Sequence, residues 1–155
     1  MKVVNSFRDK VLLKKIYSFL QGINSVSKEE IKSFFEKDIN NFSEKLLITI
    51  DRIDFEEKIN YLSRLFEFLI SNKIDEILFF KCTKALENLY HKDIDKFKEK
   101  YDKDKEYSSN DFTFECYKGV GFFEHKKTTD GEWRGISLGS YVVSDVGNIF
   151  LEIIN

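Results

Sequence analysis

The sequence predicts a mainly α fold: a bundle of about six helices, then a short helix, a β-hairpin and a closing helix. Three observations predict it. Six of the seven glycines (Gly119, Gly121, Gly131, Gly135, Gly139, Gly147) lie after residue 118, and only Gly22 lies before. Glycine is costly inside helices and useful in turns, so strands are expected only in the last third. Apolar residues recur at helical spacing as far as Tyr101, and S-x-x-E and D-x-x-E caps open two of the segments.

The first helix is predicted from about residue 6 to Gln21, with Leu12, Leu13, Ile16, Phe19 and Leu20 on one face and Gly22 as a left-handed C-cap. Ser27-Lys-Glu-Glu30 is a capping box opening a helix with Ile31, Phe34 and Phe35 inward. A third helix, about 43–52, carries Leu46, Leu47 and Ile50. Asp54-Phe-Glu-Glu57 caps a fourth, ending near Ser71. Its apolar residues, Phe55, Ile59, Tyr61, Leu62, Leu65, Phe66, Phe68, Leu69 and Ile70, sweep about 200° of the helix, too much for one neighbour to cover, which makes it the central helix. Ser63 and Glu67 fall in its polar arc. The fifth helix, from about Asp75 to Tyr90, has the narrower stripe Leu78, Phe79, Cys82, Ala85, Leu86, Leu89, Tyr90. Ile77 and Phe80 fall off that stripe and are candidates for a second contact.

A short helix with Ile94, Phe97 and Tyr101 closes a bundle assigned to residues 1–101, and the charged stretch 102–110 reads as the linker. Residues 111–155 form the last unit, expected to pack on the bundle. It has a helix from Asp111 to Lys118 stopped by Gly119, a strand over 120–127, a turn at Thr128-Thr-Asp-Gly131 and a strand over 132–143. Ser144 then N-caps a helix burying Val146, Ile149, Phe150 and Ile153.

Composition narrows the class. The chain has 155 residues, 42% apolar and 34% charged, with net charge −2, so it builds one ordinary core without disulfide or metal staples. Alanine occurs once (Ala85) and proline never, while Lys, Ile, Phe and Asn abound. That is how an AT-rich genome writes protein, and a low-GC bacterium or one of its mobile elements is the expected source. Residues 106–155 hold four Lys/Arg against eight Asp/Glu, and the remainder is nearly balanced, so neither part has the excess positive charge of a phosphate-binding surface. Two cysteines fit a reducing compartment. The opening MKVVNSFRDK has no apolar leader core, and a cytoplasmic location is expected, with no membrane partner.

The stretch from Phe112 to Ile154 resembles the end of a winged-helix domain. A short helix ending in Gly119 precedes Gly121-Phe122-Phe123, a hairpin tip at Asp130-Gly131, and Tyr141-Val-Val-Ser144-Asp-Val-Gly147. That family's wing strand feeds a final helix through a Y-x-L-[ST]-x-x-G pattern; here Val143 stands where Leu is usual. The resemblance implies a shape and, with it, a DNA-binding regulator as the rival function, whose phosphate contacts would come from His125, Lys126, Lys127 and Arg134. The helix that would read DNA, residues 111–118, carries two acids and one lysine, poor equipment for base readout. The helical part, around Glu44-Lys-Leu-Leu and Asp51 to Lys58, is similar to helical stretches of uncharacterised bacterial proteins, which implies no activity.

Catalytic chemistry finds little purchase. Cys82, His91, Cys116 and His125 lack the close pairs of a zinc knuckle. Asp51, Asp54, Glu56 and Glu57 are explained by helix capping and first-turn charge. No phosphate loop or hydrolase motif occurs, and no catalytic residue, metal, cofactor or small-molecule substrate is expected. The expected function is therefore non-enzymatic: binding a macromolecular partner, most simply a protein or a second copy, through Trp133 near the hairpin tip and through Ile77 and Phe80. A role in bacterium–phage defence or counter-defence is the setting that the genome type suggests.

Overall fold

The structure, a computed structural model, describes residues 6–37, 41–108, 111–126 and 140–154. Ser6 caps α1 (Phe7–Gly22) in a reciprocal box with Asp9. Ser27 and Glu30 form the expected box at α2 (Lys28–Lys37): the Ser27 amide donates to Glu30 Oε2 (2.7 Å) and the Glu30 amide to Ser27 Oγ (3.2 Å). There follow α3 (Phe42–Arg52), α4 (Glu56–Ile70), α5 (Glu76–Asn88), α6 (His91–Lys100), α7 (Phe112–Gly119), β1 (Phe123–His125), β2 (Tyr141–Val143) and α8 (Asp145–Ile153). Eight helices and one antiparallel strand pair among the described residues make the protein mainly α. The chain divides into two compact units, Met1–Glu87 and Asn88–Asn155.

In the first unit α4 is central. Ile59, Leu62, Leu65 and Phe66 are fully buried, and the Phe66 ring meets Phe19 of α1 (5.3 Å), Phe34 and Phe35 of α2 (5.5 and 5.6 Å) and Phe42 of α3 (6.2 Å). Each such buried aromatic is worth roughly 2–3 kcal/mol of transfer free energy. Part of the polar arc of α4, at Ser63 and Glu67, is covered as well, contrary to the sequence expectation, because α1 and the loop after it lie on it. The buried Ser63 hydroxyl donates to the Phe19 carbonyl (2.8 Å), and the buried Glu67 carboxylate accepts from the amides of Asn24 and Ser25 (2.5 Å for Ser25).

Several local expectations are corrected. Gly22 is not a left-handed cap; it is the last helical residue, followed by an extended Ile23, and a Cβ there would lie 2.5 Å from Ser63 Oγ. The glycine exists for the close approach of α1 to α4. Asp54 is not the N-cap of α4: that position is Phe55, which is exposed, and Asp54 instead pairs with Lys58 (2.8 Å). Leu13, Leu20 and Leu47 are exposed, since α1 and α3 bury only the edges carrying Phe19 and carrying Phe42, Leu46 and Ile50. α4 ends in a Schellman arrangement built on asparagine: Asn72 has φ 55, its amide donates to Leu69 O, and the Lys73 amide donates to Phe68 O. Tyr90 lies beyond α5, as the N-cap of α6.

The second unit has an aromatic core. Phe97 of α6 meets Tyr117 (5.1 Å), Phe122 (4.5 Å) and Phe123 (5.8 Å), and Phe150 of α8 meets Phe122 (4.6 Å). Residues 88–101, assigned to the bundle from sequence, are thus compact with the C-terminal part, because the apolar edge of α6 packs there. Nor is the described part of the expected linker, 102–108, free of contacts. Tyr107 exchanges two backbone hydrogen bonds with Tyr141 (2.8 and 2.9 Å), adding a bridge beside β2. β1 and β2 pair antiparallel, Phe123 opposite Val143 and His125 opposite Tyr141. The predicted turn 128–131 lies outside the described residues, as does most of the returning strand. Ser144 caps α8 as expected, accepting from the Gly147 amide (3.2 Å) while its hydroxyl donates to Gly121 O (2.5 Å). Gly121, with φ 86, makes the left-handed turn that Gly119 does not.

Candidate functional site

α3 and α5 are held together at their first turns and leave a groove further along. At the closed end Phe42 packs on Phe79 and Phe80 (both 5.5 Å), and Lys45 reaches Glu76 (3.5 Å) with its ammonium 5.7 Å from the Phe80 ring. From there an open groove of about 810 Å³ runs between Lys45, Ile48, Thr49 and Arg52 on α3 and Ile77, Phe80, Lys81, Thr83, Lys84 and Glu87 on α5. The α3 residues stand at i, i+3, i+4 and i+7, one face of the helix. The groove therefore gathers Ile77 and Phe80, the two residues that fall off the α5 core stripe.

The floor is apolar in character. Ile77 is 69% exposed and Ile48 44%, and Phe80 is half-buried. Thr49 and Thr83 donate their hydroxyls to their own helices, at Lys45 O (2.9 Å) and Phe80 O (3.0 Å). Both residues are buried, and their hydroxyls are engaged within their helices. The rim is basic: Lys45, Arg52, Lys81 and Lys84 against Glu76 and Glu87. Lys45 is paired with Glu76 and Lys84 with Glu87 (3.0 Å). Among the described residues no carboxylate pairs with Arg52 or Lys81. At the far end the buried ammonium of Lys58 donates to the Glu87 carbonyl (3.3 Å) and meets Asp54 (2.8 Å), tying the last turn of α5 to α4.

Ile48, Lys45, Arg52, Lys81 and Lys84 were not singled out from the sequence. Ile48 carries the same signature as Ile77, an apolar residue off its helix's buried stripe.

The other candidates do not converge. His125 is exposed, its ring 4.5 Å from Tyr141, and the Lys126 ammonium is held by Glu106, which also accepts from Ser140 Oγ (2.7 Å). Those two hydrogen bonds, Lys126 first, hold the Glu106 carboxyl below the usual range. Trp133, Lys127 and Arg134 lie outside the described residues. On α7, Glu115 pairs with Lys118 (2.7 Å) and Asp111 with Lys100 (3.2 Å).

Three of the four members of the acidic group of the first unit, all but Glu57, are distributed over separate ion pairs. Asp51 takes Arg8 (2.6 Å), Glu56 takes Lys14 (2.9 Å) and Ser18 (3.1 Å), and Asp54 takes Lys58. The hydrogen bond from Arg8 holds Asp51 low and that from Lys14 holds Glu56 low. Cys82 is buried, and burial pushes its thiol up to about 12, far from a nucleophile's range. Among the described residues no three His, Cys, Asp or Glu side chains gather to hold a metal ion, and no helix is long and apolar enough to cross a membrane. Comparison with known protein families, curated proteins and solved structures finds no match to the chain.

Proposed function

We propose that this is a non-enzymatic interaction protein that binds a protein partner at the α3–α5 groove. One observation carries the reading: Ile48, Ile77 and Phe80 share an open apolar floor whose neighbouring hydroxyls are already hydrogen-bonded within their helices. Such a floor offers burial and shape, the means of helix-in-groove recognition, and no group placed for proton transfer or nucleophilic attack. Trp133 is the second anchor in this proposal.

The test begins with capture on the immobilised chain from a lysate of the source organism, and the captured protein is then purified and titrated calorimetrically. Ile77→Asp, with helicity unchanged by circular dichroism, should abolish the reconstituted complex; a complex that survives it refutes the groove reading. The rival, DNA binding by a winged-helix-like second unit, draws support from its helix–strand–strand–helix order. It is disfavoured by the neutralised Lys126 and the acid-bearing α7, and a gel shift on random duplex at low salt tests it. The composition supports a bacterial or phage setting and a cytoplasmic site of action as part of the same proposal.

A further inference from the structure

Resting on that reading, we infer that the occupant of the groove is an acidic amphipathic helix of another protein. Its apolar face would sit on Ile48, Ile77 and Phe80, and its carboxylates would meet Arg52 and Lys81. Three observations select this chemistry.

The first is charge. Four cations and two carboxylates line the groove, and the two carboxylates already pair with Lys45 and Lys84. The excess is therefore carried by Arg52 and Lys81, one on each wall, where a ligand's acids can reach either side. The second is shape. The open wall of α3 runs from Lys45 to Arg52, so the trough beside it is about 10 Å long, the length of two helical turns. Apolar anchors at i, i+4 and i+7 match that length.

The third is what the charge excludes. A symmetric dimer through this groove would set Arg52 and Lys81 of one copy against the same cations of the other, since a two-fold interface faces itself. The exposed apolar residues of α1 (Leu13, Tyr17, Leu20) are no better as an occupant, because α1 carries Arg8, Lys10, Lys14 and Lys15 against Asp9 alone. Duplex nucleic acid gains nothing from the apolar floor, and the two remaining cations supply few of the phosphate contacts that such binding needs.

The test uses three labelled synthetic helices of about 14 residues, nearly four turns. One has Leu at i, i+4 and i+7 flanked by Glu, one has the same leucines flanked by Lys, and one has Ser for Leu with Glu flanks. Fluorescence anisotropy is read with the full chain at about 0.15 M salt. The Glu-flanked helix should bind about tenfold more tightly than the Lys-flanked one, which is what two rim ion pairs of ordinary strength supply. The Ser helix should not bind. Arg52→Glu with Lys81→Glu should reverse the preference, and Ile77→Ser should weaken both leucine helices alike. If the double reversal loses helicity, Arg52→Gln with Lys81→Gln replaces it and should erase the preference.

Equal binding of the Glu- and Lys-flanked helices, both weakened by Ile77→Ser, overturns the acidic occupant and leaves the groove reading standing. Absence of binding by either helix, or binding indifferent to Ile77→Ser, overturns both. A dimer in light scattering that Ile77→Ser dissociates, or salt-sensitive binding of a random duplex that Arg52→Gln removes, assigns the groove to those partners and overturns the proposal.

Discussion

Replacing Gly22 by alanine tests the packing of α1 on α4 at one atom. The new Cβ would stand 2.5 Å from Ser63 Oγ and 2.8 Å from Ser63 Cβ, where carbon contacts settle at about 3.5–4.0 Å. The two helices must part by about 1 Å, or Ser63 must leave its hydrogen bond to Phe19 O. Overpacking of this kind costs about 1–3 kcal/mol, and alanine's helix propensity returns at most about 1 kcal/mol. A net loss of about 1–2 kcal/mol is expected, read as a fall of roughly 1 M in the urea midpoint of the 222 nm signal. Ser63→Gly removes both obstructing atoms, at about 1 kcal/mol for a mid-helix glycine and about 1 kcal/mol for the lost hydrogen bond. In the double variant the two changes should couple favourably by at least about 1 kcal/mol. A left-handed cap at Gly22 would give a cost independent of Ser63. A neutral Gly22→Ala, or a cost that Ser63→Gly leaves untouched, refutes the close-approach explanation.

Gly147→Ala should be at least as damaging, since its Cβ would run into the Phe122 carbonyl and lie 2.6 Å from Val143 Cγ1; a thermal midpoint equal to the parent's would contradict this. Glu67→Ala leaves the Asn24 and Ser25 amides without their acceptor, at about 1–3 kcal/mol, and should speed hydrogen exchange at those two amides before any other in the first unit. Acid should loosen α1. Asp51 and Glu56 are held low by Arg8 and Lys14, so they stabilise the fold above the ordinary carboxylate range of about 4, and that contribution is lost as pH falls through their lowered values. Asp51→Asn with Glu56→Gln should flatten the acid limb of the helicity profile, and an unchanged limb would show that these pairs do not link folding to protons.

The legible parts of the fold are those set within four residues. The boxes at Ser27 and the cap at Ser144 are i to i+3 events, and the sequence contains both partners. Asn72 takes the left-handed position that glycine usually marks, and asparagine carries no comparable local signal for it. Ser63 and Glu67 look solvent-facing on a helical wheel, since nothing local announces that the Phe19 carbonyl and the loop amides will come to them. Tyr107 hides in a charged stretch for the same reason: its partner, Tyr141, lies in the far strand. The site was half legible. Ile77 and Phe80 stand out as apolar residues off a buried stripe, whereas the groove needs α3 alongside, and that juxtaposition is tertiary.

Lys58 shows how such a groove keeps its shape with no partner in it. An ammonium this buried, 1% exposed, contributes little net stability, because desolvation offsets most of its attraction to Asp54. Burial, the largest single influence, raises the Asp54 carboxyl, and only the Lys58 hydrogen bond and charge together with the backbone amides of Asp54 and Phe55 bring it below its usual range. What the pair does is directional. Its ammonium also caps the Glu87 carbonyl at the last turn of α5, while Phe42 and the Lys45–Glu76 pair secure the first. With α5 pinned at both ends, the wall bearing Ile77, Phe80 and Lys81 is set before a ligand arrives. On the proposed reading, a partner helix would then give up only its own freedom on binding, which would let a short groove with a few apolar contacts, and two cations that no described carboxylate pairs with, discriminate by charge.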